Sequence, residues 1–545
     1  MSQNQAQAAN KQSHFAAIPG QAIPRSRFPV DVRRLHSFQA DDMVPIWYLP
    51  MLPGDSVRAN LGAVVRLLSP LQRPMMDTLH LDYFVVFGAT RLLYDKFVRM
   101  QGERANPADS VDFLIPHLSG DGDTNAPFTV AVGGVADGLG FPLGIINPAN
   151  EVYVSALLHR LYRLFWNQYV RDQTYQNSVN VDIGDGPDDF DLVDPLLKRG
   201  KRHDYFSSAL DAPQMGAGVP IPWDGDGHAP VWGIDGDALR TKGQTDDAIG
   251  YLYSNTADDF YQTGVGAAAT QYWNIVSPGV VPSGVYADVS QVSANLNALR
   301  TAIVLQQMSE LDKRGGTRYI ESLRTRWNVV TRDDRLQRIE YVGGGSQVIG
   351  SQNVVQNSAS VDGSPQGNLT AYMKGGLAGE FSYRAPEHGY LMIMVNVRSE
   401  LTYQQNLSAH LTRRSRYNFP EPLTMHLGEE PVMMYEIFYP AAGANADYMA
   451  GVWGWQERWA VDRYTPSYVT GIFRSEYAQS LDNWHLALDY GATPPVHDGD
   501  WIESNTPISR VISLPSQPQF IGSFAIQGYK VSSMPVYSTP GLNRV

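Results

Sequence analysis

The sequence predicts a mainly β protein, a sandwich with long loop insertions and a few helices. Three observations point there. Glycine (49) and proline (35) are plentiful among the 545 residues, and aromatics make up 11%. Several short segments alternate apolar and polar residues with period two, and the connections between them are too long for tight hairpins.

The alternation is clearest from Leu79. Leu79, Leu81, Tyr83, Val85 and Phe87 share one side, with His80 and Asp82 on the other, as in a half-buried strand. Further strands are expected at 390–397, 432–439, 468–473, 510–514 and 520–526. Two helices interrupt this pattern. Val154, Leu157, Leu158, Leu161, Leu164, Phe165 and Tyr169 form one apolar stripe at helical spacing. Val292, Leu296, Leu299 and Ile303 form a second, which stops near Gly315 and Gly316. Packing against the sheet or a neighbouring subunit explains both stripes without a cofactor.

The chain reads as an N-terminal arm over residues 1–40 followed by a main domain over 41–545. The arm opens with Gln, Asn and Ala and carries Lys11, Arg25, Arg27, Arg33 and Arg34 against Asp31 alone. Such a segment is expected to be disordered or laid over a partner. Within the main domain, residues 219–285 mix glycine and aspartate with Trp223, Trp232, Tyr251, Tyr253, Tyr261 and Trp273 and have no clear period, which marks a surface insertion.

The formal charge is 42 − 55 = −13. A chain this acidic cannot neutralise nucleic acid by itself, because phosphates are neutralised by Lys and Arg. Charged residues are only 18% of the total, so much of the surface is suited to burial against partners. The absence of cysteine excludes disulfides, thiolate zinc sites and cysteine nucleophiles and fits a reducing cytoplasm. No apolar run approaches the roughly 18 residues that span a bilayer. The N-terminus lacks a signal-peptide core, so a soluble protein without an export address is expected.

Catalytic and metal motifs fail on inspection. Asp121, Asp123 and Asn125 begin an EF-hand-like loop, but Ala126 and Val132 stand where Gly and Glu are needed. Asp182, Asp185, Asp188, Asp189, Asp191 and Asp194 offer oxygen ligands, yet such a run is more commonly a solvated acidic loop. No His-Glu-x-x-His, Gly-x-Ser-x-Gly or P-loop occurs. No catalytic, cofactor or metal site is therefore expected, and the protein is not expected to be an enzyme. The basic-aromatic clusters are more informative. Arg413, Arg414 and Arg416 precede Tyr417 and Phe419, and Arg324 and Arg326 precede Trp327. Arginine beside stacking rings suits single-stranded nucleic acid, and equally a protein interface. The rival readings are a secreted β-sandwich carbohydrate-active enzyme and a lectin-like binding protein, both of which would need export.

Nine blocks carry more than composition. They are 76–103 (MDTLHLDYFVVFGATRLLYDKFVRMQGE), 166–179 (WNQYVRDQTYQNSV), 199–210 (RGKRHDYFSSAL), 314–324 (RGGTRYIESLR) and 335–346 (RLQRIEYVGGGS), followed by 387–405, 481–486 (LDNWHL), 515–520 (PSQPQF) and 534–542 (MPVYSTPGL). In this order they resemble the major capsid proteins of the Microviridae, especially the gokushovirus branch. The resemblance implies an eight-stranded antiparallel jelly roll in a T=1 icosahedral capsid of a bacteriophage, assembled in the bacterial host cytoplasm. It further implies a circular single-stranded DNA genome and a small basic DNA-binding viral protein, which would answer the charge deficit. Residues 219–285 would be the three-fold protrusion that meets a host cell-surface receptor, with the six aromatics named above as its contacts. Independently of the resemblance, the arginine-aromatic pattern makes Arg413, Arg414 and Arg416 the candidate nucleic-acid-binding residues.

Overall fold

The computed structural model describes residues 24–122, 124–216, 228–230, 240–242, 249–254, 260–263, 271–274, 286–288, 296–316, 318–355, 369–439 and 446–537. The chain divides into two units, Met1–Pro213 with Trp327–Val545, and Gln214–Arg326.

The first unit is built on eight long strands. In chain order these are β1 (Ser26–Phe38), β2 (Val44–Met51), β3 (Ser56–Leu67), β4 (Leu79–Ala89), β5 (Glu340–Val355), β6 (Leu369–Arg384), β7 (Gly389–Ser399) and β8 (Phe520–Ser532). They pair antiparallel in the order β1-β8-β3-β6-β5-β4-β7-β2. The run folds into two four-stranded halves, β1-β8-β3-β6 and β5-β4-β7-β2. The β5–β6 hairpin joins them: Gly350–Val355 of β5 pairs with Leu369–Lys374 of β6, while Glu340–Ile349 pairs with β4. Consecutive strands fall in alternate halves except β4 and β5, which pair with each other in one half, the connectivity of a jelly roll. The expected fold class is therefore observed.

Patterning explains the layers. Val57, Ala59, Leu61, Ala63, Val65 and Leu67 of β3 are all buried and the residues between them are exposed or partly so. They meet Leu81, Val85, Phe87, Leu391, Ile393 and Val395 of the facing half in one core cluster. Strand β7 is buried on both faces because Met392 and Met394 point away from that core, into a second cluster with α1 (Leu157–Phe165). The Tyr83 ring lies over Gly345, its register partner on β5, and reaches Gly379 on β6. A Cβ at Gly379 would lie 2.3 Å from the Tyr83 hydroxyl, so only glycine fits there.

The helix expected from Val154 to Tyr169 starts later than its stripe, leaving Val154 before it: α1 begins at Leu157 and is continued by one wider turn, Trp166–Val170. The second is α2 (Leu296–Gly315), ending as predicted; Val292 lies outside the described residues. In α2 the stripe residue Ile303 is 49% exposed.

Three expected strands are corrected. Residues 432–439 are strand only up to Met433, after which a helical turn, Met434–Ile437, forms around the buried Glu436. At 510–514, Ile508, Val511 and Ile512 are buried at helical spacing, within and after a 3-10 turn, Ile508–Arg510. At 468–473 only Ser467–Tyr468 is extended, and Gly471, at φ +66°, opens a 3-10 turn. The N-terminal arm is also shorter than expected, because β1 occupies Ser26–Phe38 and pairs along its length with β8. Its alternation is masked by charged residues on the open face. Residues 1–23 lie outside the described residues.

In the second unit, four short strands, Arg240–Lys242, Ile249–Ser254, Phe260–Thr263 and Gln271–Asn274, form an antiparallel sheet. The segment read as lacking periodicity thus contains short hairpins. Tyr251 stands opposite Arg240, Tyr253 opposite Gln262, and Tyr261 opposite Trp273. Trp223 and Trp232 lie outside the described residues.

Candidate functional site

The block containing Arg199, Lys201 and Arg202 looks like a basic patch, but it is a structural hub. Asp82 on β4 accepts Arg199 Nη1 at 2.5 Å and Arg398 Nη2 at 2.8 Å. Burial pushes the Asp82 carboxyl up, but a hydrogen bond from Ser346 and the two guanidiniums outweigh it and hold it below the usual range. Burial in turn lowers Arg199 to about 10 and Lys201 to about 8. Lys201 Nζ donates to the carbonyls of Trp501 and Glu503, and Arg398 Nη1 to that of Gly200 at 2.7 Å. These cations staple the 199–210 block between β4, β7 and the 498–506 loop.

The acidic run 182–194 is likewise committed to the fold. Arg160 of α1, 1% exposed, grips Asp188 with Nε at 2.8 Å and Nη2 at 2.5 Å. Asp185 accepts the Tyr94 hydroxyl and the Lys96 ammonium. Asp194 accepts the Ala136 amide at 2.7 Å, and Asp182 and Asp189 accept the amides of Gly184 and Asp191. No three His, Asp or Glu among the described residues are placed to hold a metal ion. In a cleft of about 500 Å³ between Trp166, Tyr175, Lys198 and Asp498, Asp498 caps the Trp501 amide at 2.9 Å and Glu503 pairs with Lys198 at 3.3 Å, while Asp500 at its margin is exposed.

The arginine-aromatic cluster divides. Arg413 donates to both oxygens of Asp462, at 3.0 and 2.5 Å, beneath the rings of Phe419 and Trp459. Its side chain is 12% exposed, so it shapes the loop. Arg414 and Arg416 are exposed, Arg416 lying 5.0 Å from the Tyr417 ring centre. Around them, Leu411, Tyr417, Phe419, Leu423, Met425 and Leu427 are all at least half exposed. Large apolar side chains presented this densely mark a contact surface. Arg326 of the other cluster donates to Asp312 at 2.7 Å, while Arg324 and Trp327 are exposed. The sequence missed a third basic set, on the open face of β1, β3 and β6, because its members are far apart in the chain.

A jelly roll whose ionic clusters hold the fold, and whose loops offer arginine, aromatic and aliphatic side chains, belongs to the class of viral shell proteins. Residues 16–542 match the family described as capsid protein (F protein), and the chain belongs to that phage capsid family. It is 35% identical to capsid protein VP1 of Bdellovibrio phage phiMH2K, covering 97% of this chain and 98% of the relative. It is 33% identical to capsid protein VP1 of Chlamydia phage 1, over 98% of each chain. It is 29% identical to capsid protein VP1 of Spiroplasma virus 4, over 97% of this chain and 98% of the relative. The Microviridae resemblance read from the nine blocks therefore holds. The family is one of structural capsid proteins, which assemble into a multimeric shell and form part of the virion.

Proposed function

We propose that copies of this chain close into a T=1 icosahedral shell around a circular single-stranded DNA phage genome, within the bacterial host cytoplasm. The exposed apolar and arginine-bearing loop from Leu411 to Leu427 carries this reading, because an association surface needs desolvated anchors. A small basic viral protein supplies the charge that a chain of net −13 lacks. The insertion, through Trp223, Trp232, Tyr251, Tyr253, Tyr261 and Trp273, meets a receptor on the host cell surface. Arg414 and Arg416 contribute to nucleic-acid contact at the loop edge. Membrane insertion is not part of the reading; no described helix is long and apolar enough to span a bilayer.

Co-expression with the basic protein, followed by sedimentation and cryo-electron microscopy, tests the shell. Sixty copies of a 60.3 kDa chain give closed particles of roughly 3.6 MDa. Monodisperse monomers under every assembly condition refute it. Particles with the six insertion aromatics replaced by alanine should adsorb poorly to host cells, and unchanged adsorption refutes the receptor assignment.

A further inference from the structure

The two halves of the jelly roll have different outer faces. Over β4 and β7 the face is roofed by α1. On β1, β8, β3 and β6 it is open, and its charge opposes that of the chain. Its basic residues are Arg27, Arg33, Arg58, Arg66, Lys374 and Arg384, all exposed, and its acidic residues are Asp31 and Glu380. The face therefore carries 6 − 2 = +4, which leaves −13 − 4 = −17 on the remainder. Glu380 is already engaged by Arg58 at 2.6 Å. Arg27, Arg33, Arg66, Lys374 and Arg384 have no carboxylate partner among the described residues; Arg27 instead lies 3.7 Å from the Tyr529 ring centre.

The strand register gives this charge a shape. Ile521, Arg66 and Lys374 stand side by side at one end, and Arg27, Val531, Ser56 and Arg384 at the other. Between them Leu35, Ser523, Val64 and Gly376 form one row, Arg33, Ala525, Gly62 and Ala378 a second, and Asp31, Gln527, Asn60 and Glu380 a polar third. From Arg58 to Arg66 along β3 the distance is about 27 Å, and four strands span about 14 Å. Gly62 and Gly376 are not required by internal packing. A Cβ at either would meet nothing closer than 3.8 Å, and neither has the positive φ that demands glycine. Glycine weakens a strand interior, so two exposed glycines without an internal reason mark close approach from outside. Tyr372, 41% exposed, adds a ring at the margin.

We infer that this open face of β1, β8, β3 and β6 is a binding surface for single-stranded polynucleotide, with Arg27, Arg33, Arg66, Lys374 and Arg384 on the phosphates and the Gly62–Gly376 floor beneath the strand. Charge complementarity selects a polyanion, and the floor suits a flexible single strand, whose bases lie flat on small residues. A duplex would touch so flat a surface along one ridge only. The inference rests on the capsid reading for naming that polynucleotide as the genome; the binding itself does not need a shell.

The test uses unassembled full-length chain and a labelled 20-nucleotide oligo-dT, with oligo-rU and a duplex as further arms, read by fluorescence anisotropy. Five phosphate contacts predict a log–log salt slope of about −3.5, or about 100-fold weaker binding between 50 and 200 mM salt. The quadruple variant R33A/R66A/K374A/R384A should flatten the slope to about −0.7. The variant Gly376→Leu keeps every charge and has room for its Cβ, so it should melt like wild type yet bind at least about fivefold more weakly with the slope preserved. Wild-type affinity and slope in the quadruple variant overturn the inference, as does tighter binding of the duplex than of either single strand. So does a variant that binds oligo-dT normally but no longer forms particles, since the face would then join copies of the chain. Particle formation by wild type is scored separately by microscopy. Its failure sinks the shell and leaves the binding result standing.

Discussion

Replacing Arg160 with methionine isolates the interaction that ties α1 to the acidic run. The guanidinium is 1% exposed and makes four hydrogen bonds: two to Asp188, and two at 2.9 Å from Nη1 to the carbonyls of Leu93 and Gly184. Methionine fills most of the volume but leaves the Asp188 carboxylate, 6% exposed, with no counter-charge. Breaking a buried pair from one side costs about 3–5 kcal/mol, mostly from the charge left behind. The double variant R160M/D188L removes that charge and should recover more than half of the loss, since an apolar replacement for a buried ion pair is often near neutral. Urea unfolding followed by tryptophan fluorescence measures both, with Trp166 at the end of α1 as one reporter. A loss below about 1 kcal/mol for R160M, or a double variant no better than the single, refutes the assignment of Arg160 as the counter-charge of a buried carboxylate.

Three further outcomes follow from the same structure. Gly379→Ala should cost about 1–3 kcal/mol in unfolding free energy, because the added methyl meets the Tyr83 ring; combining it with Tyr83→Leu should relieve the strain, as a double-mutant cycle will report. Glu436 is pushed up to about 7, chiefly by burial, despite hydrogen bonds from the Met433 amide and the Tyr205 hydroxyl. A raised carboxyl binds its proton more tightly in the folded state, so its contribution is best below about pH 4.5 and falls as pH rises through 7, by about 3 kcal/mol. Glu436→Gln should flatten melting temperature against pH between 5 and 8, and a parallel offset at all pH values contradicts this. Arg413→Ala should lower stability by about 1–2 kcal/mol through the lost bonds to Asp462, whereas Arg414→Ala with Arg416→Ala should stay within about 0.5 kcal/mol in thermal melts.

Much of the fold was legible where a side chain's surroundings are set by its neighbours along the chain. Strands β4, β7 and β8 and helix α1 announce themselves because their apolar residues are large and regularly spaced. Strand β3 alternates as strictly as β4, but with alanine, glycine and arginine, whose propensities argue against a strand. Strands β5 and β6 hide behind glycines whose purpose is to admit Tyr83, a contact across some 260 to 300 residues that no local window can hold. The same reason separates the basic clusters. Arg413, Arg414 and Arg416 are conspicuous as a run, yet one of them is consumed by Asp462. The five cations of the open sheet face that have no carboxylate partner among the described residues come from three strands and become neighbours only through the register. Acidic residues read as a solvated loop proved to be partners of Arg160, Lys96 and Tyr94, because a carboxylate's counter-charge is a matter of tertiary placement.

The two strands at the rims of the sheet, β1 and β2, carry prolines at Pro29, Pro45 and Pro50. A proline has no amide hydrogen to offer an incoming strand, and β1 adds the charges of Arg27, Asp31 and Arg33. Molecules that must crowd together at very high local concentration are thereby kept from zipping sheet to sheet into an endless ribbon. Growth is left to loops and faces, whose fixed angles let an assembly finish.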